Sequence, residues 1–282
     1  MVKDIWQRFP PDDHELKIRS LAGAGAYACD AVIARPVLIL SFTNRCGSSF
    51  MAECLAATGA VHNAGEILNW QGTTDGIRRY GVATVAGFLA RLDQDQAAQG
   101  KTLLIKSSIQ QLLTLARAGY LGPEGVLRQL RLVHVERRDV LAQGISNAIA
   151  AQTQKWTSAQ AGNQVEPRYD YAAIQDYLYG ALHQNALFRE FCAALGLPYL
   201  PVTYEDFAED YLPTVREILH YARLSVGDPD PTQIRLQRQT GPVNREFADR
   251  FRAESAERLG SRLGEGVFQR LAQTIASLVG KP

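Results

Sequence analysis

Residues 36–59, PVLILSFTNRCGSSFMAECLAATG, limit the fold more than any other stretch of the chain. The aliphatic run lacks polar alternation and so reads as a strand covered on both faces, the kind that fills parallel sheets. It breaks at Asn44-Arg45-Cys46-Gly47-Ser48-Ser49 and passes straight into an apolar-periodic segment, giving the order strand, tight loop, helix N-terminus. At such a junction the first helical amides have no intrahelical partner, the helix dipole favours negative charge, and Gly47 lets the backbone turn closely. The loop is therefore suited to an anion, with Arg45, Ser48 and Ser49 as further donors. An ordinary strand-to-helix connection with a serine cap carries the same signature.

A second segment adds to the anion reading. In residues 130–146, LRLVHVERRDVLAQGIS, another β-type run ends in Arg137 and Arg138, and Asp139 stands where it would cap a helix carrying Ser146. Open α/β sheets bind ligands at the carboxyl ends of their strands. A guanidinium placed there grips phosphate through two parallel hydrogen bonds. A surface ion-pair cluster is the alternative origin of Arg-Arg-Asp.

The other elements alternate as an α/β fold requires. Strands are predicted at 37–42, 103–106, 131–136 and 199–203, and helices at 49–58, 140–152 and 212–222. Ile174, Leu178, Leu182, Phe191 and Leu195 mark a long amphipathic helix that stops at Gly196. From Arg245 onward the pattern is of two polar-faced helices separated by Gly264 and Gly266, while 10–11 and 227–231 read as loops.

The balance of residue types excludes several function classes. The chain has 282 residues, 46% hydrophobic and 21% charged, room for one large α/β domain, and no linker marks a split. A net charge of +1 supplies no basic field for nucleic acid, so anion binding must be local. Cys29, Cys46, Cys54 and Cys192 lack metal-ligand or disulfide-framework spacing, so no metal is expected. Acidic residues near the start replace the basic-then-apolar order of a signal peptide, and Asp30, Arg35 and Pro36 interrupt the most apolar region, so no membrane span is expected. A cytoplasmic protein with reduced cysteines is the expectation.

The two segments together resemble the sulfotransferases that use 3′-phosphoadenosine-5′-phosphosulfate (PAPS), and more narrowly the bacterial trehalose-sulfotransferase-type family. In that family the first loop reads Arg-Ser-Gly-Ser-Thr; Arg45, Gly47 and Ser48 match, with Cys46 and Ser49 as conservative departures. The second block is similar through Arg138, Asp139, Gln143 and Ser146, with the spacing of Arg138 to Ser146 that of the general 3′-phosphate site. The match continues through residues 152–156, Tyr204-Glu205-Asp206-Phe207 and Arg238-Gln239, covering about residues 36–255.

The resemblance implies a P-loop-NTPase-like sulfotransferase fold: a central parallel sheet flanked by helices, with a helical C-terminal part. It implies a single domain over 1–282, with an N-terminal extension at 1–35, the family core at 36–255 and a C-terminal helix at 256–282. The donor would be PAPS, the product PAP, the acceptor a carbohydrate or glycolipid, and the assembly a homodimer. Arg45, Cys46, Gly47, Ser48 and Ser49 would hold the 5′-phosphosulfate, Arg138 and Ser146 the 3′-phosphate, Tyr204 the adenine side, and Arg238 and Gln239 would close over the 3′-phosphate. Glu66 would be the general base, with Arg45 and Lys106 assisting transfer. The Glu66 assignment rests on the resemblance of residues 58–66, since a glutamate after a glycine is commonly a solvated loop residue. His62, whose imidazole has the better intrinsic pKa, competes for that role, and His62 and Trp156 are candidates to flank the acceptor. Residues 71–81 and 157–168 would shape the acceptor pocket.

Two other classes share the strand-loop-helix signature. A nucleotide kinase needs a lysine after the loop glycines, and none follows Gly47. A catalytically silent PAP-binding or nucleotide-binding protein would keep the loop and dispense with Glu66.

Overall fold

A computed structural model describes residues 10–163, 165–224, 227–236 and 241–263, with the side chains of 261–263 left aside. In chain order the elements are α1 (Asp13–Ala22), β1 (Ile33–Phe42), α2 (Ser48–Ala56), β2 (Val61–Asn63), α3 (Trp70–Tyr80), α4 (Val85–Ala97), β3 (Thr102–Ser107) and α5 (Ile109–Arg117). There follow β4 (Leu127–Glu136), α6 (Val140–Thr153), α7 (Tyr171–Leu195), β5 (Tyr199–Thr203), α8 (Tyr204–Glu209), α9 (Tyr211–Tyr221), a 3₁₀ turn at Pro231–Gln233, and α10 (Pro242–Leu263).

The five strands form one parallel sheet in the order β2-β3-β1-β4-β5. Centrality explains the aliphatic run of β1. Val37 to Leu40 are each 0% exposed because both faces are covered. Side chains alternate between faces, so Val37 and Ile39 enter one core with Leu103, Ile105, Leu132 and Phe188, while Leu38 and Leu40 enter another with Met51, Leu55, Leu104, Val133 and Val135. The second core is the one that packs α2 and α9 against the sheet. A third cluster, Ile145, Ala148, Ile174, Phe247 and Phe251, ties α6, α7 and α10 together.

All four predicted strands are present, extended at one or both ends except for 199–203. The edge strand β2 is additional, and contains only three residues, one of them His62. The predicted helices are α2, α6 and α9, and the long one is α7, capped by Gly196 in the left-handed region. Helices α1, α3, α4, α5 and α8 are also present, the first four opened by the side-chain caps Asp12, Asn69, Thr84 and Ser108. One of the two C-terminal helices is α10; residues 264–282 lie outside the described residues. No described helix is long and apolar enough to cross a membrane.

Candidate active site

The chain turns to opposite sides of β1 at its carboxyl end, because β1 leads by way of α2 to the β2 edge whereas β4 lies on the other flank. Such a switch point opens a crevice beyond the strand ends. A cavity of about 640 Å³ lies there, and each strand supplies a lining residue at or just past its carboxyl end: Arg45 after β1, Glu66 after β2, Lys106 in β3, Arg137 after β4 and Tyr204 after β5.

The loop after β1 is built for close approach. The amide of Cys46 turns back to the carbonyl of Thr43 (3.2 Å), and Arg45 and Gly47 both take positive φ, 67° and 93°. Gly47 occupies the N-cap of α2 with no side-chain capping bond, so the first amides of α2 open toward the cavity beside Ser48 and Ser49. The strained turn is braced from α6: Gln143 Nε2 donates to Thr43 Oγ1 (2.7 Å) and to the carbonyl of Asn44 (2.8 Å). Cys46 contributes only backbone here, since its side chain is 0% exposed in the second core, where burial pushes the thiol pKa up.

Three cations converge. Arg45 Nε donates to Ser146 Oγ (2.9 Å), and its Nη1 donates to the carbonyl of Trp156. Burial first, and then the neighbouring Arg137, push Arg45 below the ordinary arginine value. Two guanidinia held close together and half-buried make a site that gains from an anion. Arg137 Nη1 reaches the Arg45 carbonyl at 3.4 Å, and its guanidinium carbon stands 5.0 Å from the Tyr204 ring centroid. Lys106 is the third cation. Its Nζ donates to Ser49 Oγ (2.9 Å) and Glu66 Oε1 (2.8 Å) and lies 4.7 Å from the centroid of the Phe42 ring. Its backbone amide donates to the carbonyl of Gly65 (2.8 Å), so main chain and side chain together set Glu66 beside it.

The expected site residues divide. Arg45, Gly47, Ser48, Ser49, Glu66, Lys106, Ser146, Trp156 and Tyr204 all line the cavity. Arg138 does not join them: its guanidinium forms a two-pronged pair with Asp206 (3.0 and 2.6 Å) and reaches Thr203 Oγ1 (3.3 Å). Glu205 accepts the amides of Arg138 (3.0 Å) and Asp139 (3.2 Å), so this stretch of backbone is clamped with Arg137 facing inward. His62 sits on β2 outside the cavity lining, with burial and then Lys101 lowering its pKa. Arg238 and Gln239 lie outside the described residues. From the segments expected to shape the acceptor side, Gln71 in α3 and Thr157, Ser158 and Gln160 after α6 line the cavity.

Phe50, Asn69 and Leu236, which the sequence does not single out, also line the cavity, and of the two arginines at the end of β4 it is Arg137 that does, where the resemblance pointed to Arg138. The signal for Arg137 was strand parity: Val133 and Val135 face the α2 side, and a residue two further along continues that face. Among the described residues no group of His, Cys, Asp and Glu could hold a metal ion.

A family model described as Stf0 sulphotransferase matches residues 96–254. Among solved structures, the chain is similar to the sulfotransferase domain of the Synechococcus PCC 7002 olefin synthase, at 16% identity and TM-score 0.47 over 79% of this chain and 96% of that one. It is also similar to a sulfotransferase from Alicyclobacillus acidocaldarius, at 15% identity and TM-score 0.43 over 81% and 96%. A third is the mouse sulfotransferase SULT7A1 complexed with PAP, at 11% identity and TM-score 0.43 over 78% and 66%. No curated protein sequence matches the chain.

Proposed function

The chain belongs to the Stf0 sulphotransferase family, and from that premise we propose that it moves a sulfuryl group from PAPS to a hydroxyl of a carbohydrate or glycolipid. The observation that carries this reading is the convergence of Arg45, Arg137, Lys106 and the open end of α2 on one cavity in whose lining, among the described residues, Glu66 is the single carboxylate. The cavity volume falls within the range of about 300–1,000 Å³ usual for small-molecule sites.

In this reading the α2 amides, Ser48, Ser49 and Arg45 hold the 5′-phosphosulfate, where anions are favoured by both dipole and charge. Arg137 and Ser146 take the 3′-phosphate, and Phe50, Tyr204 and Leu236 offer the apolar surface a purine needs. The acceptor oxygen attacks sulfur in line, its proton passes to the Glu66 carboxylate, and the electron pair of the breaking S–O bond stays on the 5′-phosphate of PAP. The cations stabilise that leaving phosphate, so no metal is required for countercharge. Asn69, Gln71, Thr157, Ser158 and Gln160 line the cavity beside Trp156 and are all neutral hydrogen-bonding residues, a lining suited to an uncharged polyol.

Thermal denaturation with PAP in chelator, against ATP with magnesium, tests the donor assignment. PAP is expected to raise Tm and ATP with magnesium to leave it little changed, since stabilisation follows selective occupancy of the folded state. The reverse result rejects the assignment. Incubation with radiolabelled PAPS and fractionated glycans or glycolipids tests transfer, and PAP binding without transfer to any fraction would identify a silent binder.

A further inference from the structure

The carboxylate of Glu53 is engaged in a contact that the proposed chemistry does not use. Glu53 is the single charged residue of α2, on a helix whose residues Met51, Ala52, Cys54 and Leu55 are each 0% exposed. Its two oxygens accept consecutive backbone amides, Arg235 (3.1 Å) and Leu236 (2.8 Å). The chain approaching this point is anchored at intervals. Asp228 pairs with Arg216 of α9 through two bonds (2.8 and 2.7 Å), the amide of Asp230 donates to the carbonyl of Ala57 (2.9 Å), and Ile234 packs against the core beneath α2. Residues 228–236 therefore form a strap that lies on α2, and it delivers Leu236 to the cavity wall.

We infer that Glu53 is a positioning residue for donor binding: by holding the amides of Arg235 and Leu236 it fixes the strap to the helix whose other end forms the anion loop. The inference rests on the reading that the cavity takes a nucleotide donor. A carboxylate receiving two successive amides is a charge-assisted clamp, stronger than a neutral contact and dependent on both oxygens. It joins two walls of the cavity that are far apart in sequence, so Leu236 is set in place before the nucleotide arrives and little ordering remains to be done on binding. Because Leu236 is apolar, the effect falls on the nucleoside rather than on the 3′-phosphate.

Isothermal titration of PAP and of AMP into wild type, Glu53→Gln and Glu53→Ala tests this, together with hydrogen–deuterium exchange across residues 230–236. Glu53→Ala is expected to weaken PAP and AMP by the same factor, about tenfold, which is about 1.4 kcal/mol. Glu53→Gln, which keeps one oxygen acceptor, should fall between, and ligand-free Tm should move little. In the ligand-free wild type the amides of Arg235 and Leu236 should exchange slowly, and in Glu53→Ala they should exchange faster. Unchanged PAP affinity in Glu53→Ala, or a lowered Tm with unchanged affinity, overturns the inference. Should Glu53→Ala fail to fold, Glu53→Gln and the wild-type exchange decide, and strap amides that exchange freely in the ligand-free wild type overturn it. Wild type that binds no PAP would instead reject the donor reading.

Discussion

Gly47 and Tyr204 are fitted to one another: a Cβ built on Gly47 would lie 2.2 Å from Cδ2 and 2.6 Å from Cε2 of the Tyr204 ring. The loop after β1 and the helix after β5 therefore touch at a point where only a hydrogen fits. The backbone of Gly47, at φ 93°, independently disfavours any side chain.

Gly47→Ala should consequently lose stability twice, by about 1–3 kcal/mol for the backbone and further for the displaced ring. Urea unfolding is expected to show Gly47→Ala/Tyr204→Ala recovering part of the loss, since truncating the ring removes the clash and leaves the strained φ. Wild-type stability in Gly47→Ala would contradict the fit, and full recovery in the double variant would assign all of the cost to the ring.

The adjacent arginines separate experimentally. Arg137 faces the cavity and Arg138 is held by Asp206, so Arg137→Ala should weaken PAP on the order of tenfold or more beyond its effect on AMP, the loss of a charge-assisted phosphate contact. Arg138→Ala removes an exposed ion pair of small worth and should weaken both ligands alike and slightly. Calorimetric titration of the four combinations checks this. Selectivity against PAP appearing in Arg138→Ala would return the 3′-phosphate contact to that residue.

The pattern of what was readable in the sequence follows from these contacts. The β1 run and the loop to Ser49 were legible because a strand buried on both faces leaves a continuous aliphatic signal. Helix α3 was not: Gly76 sits inside it because a Cβ there would come within 2.3 Å of the Phe88 ring, so tertiary packing imposed a residue that local propensity reads as a breaker. The edge strand β2 is too short to show a period. Arg138 drew attention through motif spacing, whereas the inward turn of Arg137 depends on Glu205, 67 residues beyond Arg138 along the chain, which holds the amides of Arg138 and Asp139.

Glu205 predicts a pH dependence. Burial alone would raise its pKa, but the amides of Arg138, Asp139 and Glu205 itself, with the charge of Arg137, together outweigh burial and hold it below the ordinary glutamate value. A carboxyl depressed in the folded state stabilises the fold above its unfolded pKa, about 4.3, and that contribution is lost as pH falls through the lower folded value. Wild type should therefore exceed Glu205→Gln in Tm at neutral pH, with the gap closing on acidification below that value. A gap independent of pH would show that the clamp does not need the charge.

Glu66 and Lys106 carry the claim that the site performs chemistry. An alcohol is barely ionised at neutral pH, so a base that accepts the proton during attack contributes on the order of 10²- to 10⁴-fold. Glu66→Gln preserves shape and removes that base, and transfer from PAPS should fall by this range while PAP affinity and Tm hold. Lys106→Met should also lower transfer, because the ammonium that bonds Glu66 and Ser49 would be lost from beside the reacting group. The two act through one contact, so the double variant should be little worse than the poorer single one. Single-turnover transfer with saturating PAPS measures all three. Lost PAP binding in Glu66→Gln would make Glu66 a donor-site residue, and near-normal transfer would require a base elsewhere in the cavity, where His62 does not reach.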